Sequence, residues 1–99
     1  MNEYTQSMSE VDKSLFILGR KFFKLKEYTT SIEYFRKLSV HTKDSYRFLG
    51  SCYANLKQYN IANYLFNNAI LKGDDISCLW LAWYFEKRSN YKKFIYQKN

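Results

Sequence analysis

One histidine, two cysteines and three isolated glycines leave this chain little hydrolytic, redox or phosphate chemistry. His41 falls in a loop between predicted helices, and beside Cys52 and Cys78 it is the only other soft ligand, too few for a metal site. With no export signal, the two thiols read as reduced and buried rather than bridged. The paired carboxylates Asp74 and Asp75 stand at a predicted helix start, where negative charge is stabilised by the helix dipole, so capping accounts for them. The glycines are scattered, which excludes a phosphate-cradling loop. No nucleophile, base and orienting group come together, so neither an enzyme nor a bound cofactor or metal is expected.

What the chain does hold is positive charge and aromatic surface. The net charge is +7, with basic pairs at Arg20-Lys21, Arg36-Lys37, Lys87-Arg88 and Lys92-Lys93, and there are ten Tyr, eight Phe and two Trp. Long-range attraction for an acidic partner or for nucleic acid follows from that balance. The basic residues are spread rather than blocked, however, and solvated helix faces account for many of them. Met1 to Asp12 holds three acidic residues and no apolar run, unlike a signal peptide. The longest apolar run, Leu79 to Phe85, is too short to span a bilayer. A cytoplasmic protein is expected.

The elements that must position these residues repeat. Leu18-Gly19 recurs 31 residues on as Leu49-Gly50, with Phe22 and Tyr53, Tyr28 and Tyr59, Ser31 and Ala62, and Phe35 and Phe66 in step. A weaker third copy follows 32 residues later, at Leu81-Ala82, Phe85 and Tyr91. Such a period implies stacked supersecondary units. Helical spacing of apolar residues predicts helices at about 10–25, from Thr30 to about Val40, from Thr42 or Asp44 to about Leu56, at about 61–72 and at about 75–87. Thr30 with Glu33 has the capping-box pattern, and Gly73 suits a left-handed helix ending. Tyr91 to Gln97 reads as a separate capping helix with Tyr91, Phe94 and Ile95 on one side. The whole is a single domain: one unit at about 12–42, a second at about 43–74, and a partial third with its cap at about 75–98.

The residues Leu15, Leu18-Gly19, Phe22, Ser31, Phe35 and Leu38, then Tyr46, Leu49-Gly50, Tyr53, Ala62, Phe66 and Ala69, resemble the tetratricopeptide repeat over roughly Asp12 to Phe94. The resemblance implies an all-α stack of helical hairpins, a solenoid of about two and a half repeats. This chain departs from the family's 34-residue period and its proline, both through three residues missing between Leu38 and the next Leu-Gly. The resemblance further implies a concave groove lined by the first helix of each unit. Its residues would be Phe16, Arg20 and Phe23, then Arg47, Phe48 and Ser51, then Leu79, Trp80 and Trp83. Arg and aromatic residues in a concavity are the usual material of binding hot spots.

The clamp by which some of these domains grip acidic chaperone tails is not matched, since Phe16, Arg20, Phe48, Ile76 and Trp80 stand at its positions. A hydrophobic peptide or the apolar face of a helix is the expected partner instead. The run Leu79-Trp80-Leu81-Ala82-Trp83 is similar to the third unit of small tetratricopeptide chaperones of bacterial type III secretion. That likeness implies an escort for a secretion subunit, although many such chaperones are acidic. A generic adaptor or assembly factor, a homo- or hetero-oligomer, and a basic nucleic-acid-binding protein stand as alternatives.

Overall fold

Glu10–Lys24 (α1) and Tyr28–Arg36 (α2) form one helical hairpin, and Lys43–Asn55 (α3) and Tyr59–Leu71 (α4) form a second. A longer helix, Asp75–Lys98 (α5), packs on the second hairpin. The computed structural model describes the backbone of residues 8–98 and the side chains of residues 8–86, and among these residues there is no strand. Among the described residues no helix is long and apolar enough to cross a membrane.

Both hairpins turn in the same way. Lys26 and Lys57 take left-handed φ values of 63° and 64°. The N–H of Lys26 donates to the Phe23 carbonyl (3.0 Å) and that of Glu27 to Phe22 (2.9 Å). Lys57 and Gln58 repeat this with Ala54 and Tyr53, at 2.9 Å each. These paired bonds satisfy the last carbonyls of a helix that stops at a left-handed residue. Gly73, at φ 93°, ends α4 by the same two bonds, as its position suggests.

The turn delivers the chain straight into the next helix. Ser31 N–H bonds the Glu27 carbonyl and Ala62 N–H that of Gln58. α2 and α4 therefore begin at Tyr28 and Tyr59, before the starts expected from sequence, and Glu27 makes no side-chain cap. The Thr30–Glu33 capping pattern is unused. Thr42, by contrast, forms a capping box with Ser45 at the start of α3.

Within each hairpin the Leu-Gly position receives an aromatic ring. A Cβ on Gly19 would lie 2.7 Å from Phe35, and one on Gly50 would lie 3.1 Å from Phe66. Phe35 and Phe66 are wholly buried. Ser31 Oγ donates to the Gly19 carbonyl (2.7 Å) and accepts from Cys52 Sγ (3.4 Å), which ties the first hairpin to the second.

α2 ends at Arg36, short of the expected Val40, because Asp12 claims the next stretch of chain. Its carboxylate accepts from Ser39 N–H (3.1 Å) and Ser39 Oγ (2.7 Å). These bonds hold the Asp12 carboxyl below its ordinary value and hold Leu38 in the core. α5 is one helix to Lys98, so the expected separate cap at 91–97 does not form. Arg88, Ser89 and Asn90 supply neither Gly nor Pro, and nothing interrupts the helix. The side chains of Tyr91, Phe94 and Ile95 lie outside the described residues. Cys78 is exposed rather than buried, whereas Cys52 lies in the core.

α1, α3 and α5 pack side by side, while α2 and α4 stand on the other side, with Ile32 and Phe35 of α2 and Leu65 of α4 in one core. Side chains that α1, α3 and α5 turn away from α2 and α4 are therefore gathered on one surface.

Candidate functional site

Aromatic rings from α1, α3 and α5 form a continuous series on that surface. Phe16 meets Phe48 edge-on (5.9 Å between centroids), Phe48 meets Phe23 (5.2 Å) and Trp80 (6.0 Å), and Phe23 stacks on Trp80 (6.3 Å). Offset and edge-to-face pairs of this kind add to the burial energy of each ring and fix their mutual angles. Beside them opens a cleft of about 480 Å³ lined by Phe23, Ser51, Leu79, Trp80, Trp83 and Tyr84.

The residues that sequence assigns to a groove thus divide into several groups. Phe23, Ser51, Leu79, Trp80 and Trp83 line the cleft. Leu79 and Trp83 are its open wall, 71% and 56% exposed, while Phe23 and Trp80 are half-buried. Phe16 and Phe48 lie deeper: both contact the buried ring of Phe35, Phe48 by stacking at 5.7 Å. They support the cleft rather than line it. Arg20 is exposed at its margin, with its guanidinium 5.9 Å from the centre of the Phe48 ring.

Arg47 is elsewhere in role. It is 9% exposed, donates from Nη1 to both carboxylate oxygens of Asp74 (2.8 and 2.9 Å), and pairs through Nη2 with Asp44 (2.9 Å). Its guanidinium also lies 5.4 Å from the rings of Phe48 and Trp80. It clasps the start of α5 to α3 and is buried rather than presented on the open surface expected from the repeat register. Burial alone would raise the Asp74 carboxyl, but hydrogen bonds from Ser77 and Arg47 and the nearby positive charge carry it below its ordinary value. Asp74, read from sequence as a helix cap, does both tasks, since it also accepts from Ser77 Oγ in the first turn of α5.

Ser51 is buried at the cleft base. Its hydroxyl is hydrogen-bonded to that of Tyr84, which also accepts from Asn55 Nδ2 (2.8 Å). These polar groups satisfy one another, so the exposed surface of the cleft is mainly carbon. Tyr84 was not singled out by sequence, although it lies four residues past Trp80 on the same helix face. Among the described residues no three His, Cys, Asp or Glu side chains cluster in a way that would hold a metal ion. Burial pushes the Cys52 thiol up to about 11, and burial lowers His41 against the pull of Asp12.

No protein-family profile matches this chain, and no curated protein or solved structure is significantly similar to it.

Proposed function

We propose that the chain is a helical repeat domain of the tetratricopeptide kind that binds another protein. Its cleft between α1, α3 and α5 receives a hydrophobic peptide or the apolar face of a helix. One observation carries the reading: Leu79 and Trp83 remain 71% and 56% exposed beside a cleft whose other walls are the half-buried rings of Phe23 and Trp80. Large apolar groups left open next to a preformed concavity are the usual marks of an interaction site. The repeat assignment is supported by the Gly19–Phe35 and Gly50–Phe66 contacts, which recur at the same period as the turns at Lys26 and Lys57.

A binding role is favoured over catalysis because the cleft's hydroxyl and amide groups already bond one another. The narrower form of the proposal is a cytoplasmic escort chaperone that covers an apolar segment of a secretion subunit until export. A generic adaptor uses the same cleft without that duty.

A photo-cross-linking residue at position 79 should capture a partner in the source cells, and the same probe at position 61, on α4, should not. Trp83→Ala should weaken capture of that partner by about 2 kcal/mol, the loss typical of a truncated hot spot. Equal cross-linking from both positions would remove the cleft from the proposal.

A further inference from the structure

Building on the cleft as a helix-binding site, we propose that its occupant is an acidic amphipathic helix whose carboxylates lie along α1. Ile17, Arg20, Lys21, Lys24 and Leu25 line a shallow depression of about 480 Å³ on α1. Their spacing is that of one helix face, where residues three and four apart are neighbours. Ile17 and Leu25 are 64% and 58% exposed, and the three cations between them are exposed as well.

Among the described residues none of these cations is in an ion pair. The carboxylates of α1 are engaged elsewhere, Glu10 with Lys13 and Asp12 with Ser39. Arg20 joins this basic strip to the cleft, because its guanidinium lies over Phe48, and Phe48 contacts both Phe23 and Trp80. An apolar cleft and an unpaired basic edge therefore share one border.

A helix matches both. Arg20 and Lys24 are one turn apart, about 6 Å along the axis, which is also the pitch of carboxylates placed four residues apart on a partner helix. The apolar face of that helix would lie against Leu79, Trp80 and Trp83 while its acidic flank met α1. Ile17 and Leu25, flanking the cations, offer contact to an aliphatic side chain and nothing to a phosphate backbone, which favours a helix over nucleic acid. Exposed pairs contribute modestly each, so the basic edge acts chiefly on selectivity and association rate.

The test uses the full chain and two labelled helical peptides with the same Leu and Phe face, one with Glu and the other with Gln along the flank. In fluorescence anisotropy at low salt, the Glu peptide should bind about tenfold more tightly than the Gln peptide, as a few exposed ion pairs would give. That advantage should vanish in an Arg20→Gln, Lys24→Gln double variant of unchanged helicity. It should also vanish at about 0.5 M salt, where screening is severe. Residual binding of the Gln peptide should fall on Trp83→Ala. Equal binding of the two peptides at low salt would overturn the acidic preference and leave the cleft standing. Failure of both peptides would sink the cleft itself. Tighter binding of a single-stranded oligonucleotide, lost in the same double variant, would reassign the basic edge to phosphate.

Discussion

Gly19 and Gly50 hold equivalent places in two hairpins, yet the same change should affect them differently. Glycine to alanine inside a helix gains about 1 kcal/mol from backbone propensity. Against this stands the room for one methyl group. At Gly50 the added Cβ would meet the Phe66 ring at 3.1 Å, so a shift of a few tenths of an ångström restores normal contact. At Gly19 it would lie 2.7–2.8 Å from three atoms of Phe35. That ring is fully buried and flanked by Phe16 and Phe48, and the Ser31–Gly19 hydrogen bond keeps the two helices from spreading. Ala62 replaces Ser31 in the second hairpin and makes no such bond.

Overpacking costs about 1–3 kcal/mol, and Gly19 belongs at the upper end and Gly50 at the lower. Gly19→Ala should therefore destabilise by about 2 kcal/mol net, and Gly50→Ala should stay within about 0.5 kcal/mol of the parent. In urea denaturation followed by far-UV circular dichroism, the first variant should show a lower midpoint with an unchanged slope. In thermal melts the same loss is worth roughly 8–16 °C for a domain of this size. Gly50→Leu, which adds far more volume, should be destabilising in either assay. A Gly19→Ala protein as stable as the parent, or a larger loss at Gly50 than at Gly19, would refute the packing argument.

Arg47→Met should destabilise by about 3 kcal/mol or more, because it strands buried Asp74 without its partner. Adding Asp74→Asn should return part of that loss, and strict additivity in the double-mutant cycle would show that the two do not act together. Acid examines the same link: the Asp74 carboxyl is lowered from 3.8, so its contribution is whole above that pH and is lost as pH falls through the lowered value. Thiol labelling at mildly alkaline pH should modify exposed Cys78 rapidly and leave Cys52, raised to about 11 and buried, unmodified until the chain unfolds. Two fast thiols would contradict the placement of Cys52 in the core.

The helices were legible because periodicity and small-residue positions are local properties. Leu-Gly with an aromatic 16 residues later announces a close helix crossing, and both copies deliver it. Boundaries were less legible because they are decided at a distance. The end of α2 depends on Asp12, 27 residues before Ser39, and nothing near Arg36 announces a stop. The start of α2 depends on how Lys26 turns, and a lysine in left-handed backbone carries no residue-type signal. The expected break before Tyr91 came from the repeat pattern alone, without a residue that would break a helix.

The site shows the same division at higher resolution. Repeat register gives the direction of a side chain, and that was enough to bring Phe23, Ser51, Leu79, Trp80 and Trp83 to one cleft. Register cannot say which charge a side chain will meet. Arg20 and Arg47 both leave first helices toward the same surface, but Asp44 and Asp74 stand within reach of Arg47 and no carboxylate among the described residues pairs with Arg20. The first becomes an open cation beside an aromatic ring, and the second a buried clasp that sets where α5 begins. Trp80 is thereby held against Phe23 and Phe48, so the shape of the open cleft depends on a buried arginine. A loss of binding on changing Arg47 would report movement of α5, and Trp83→Ala, on the exposed wall, is the substitution that reports contact.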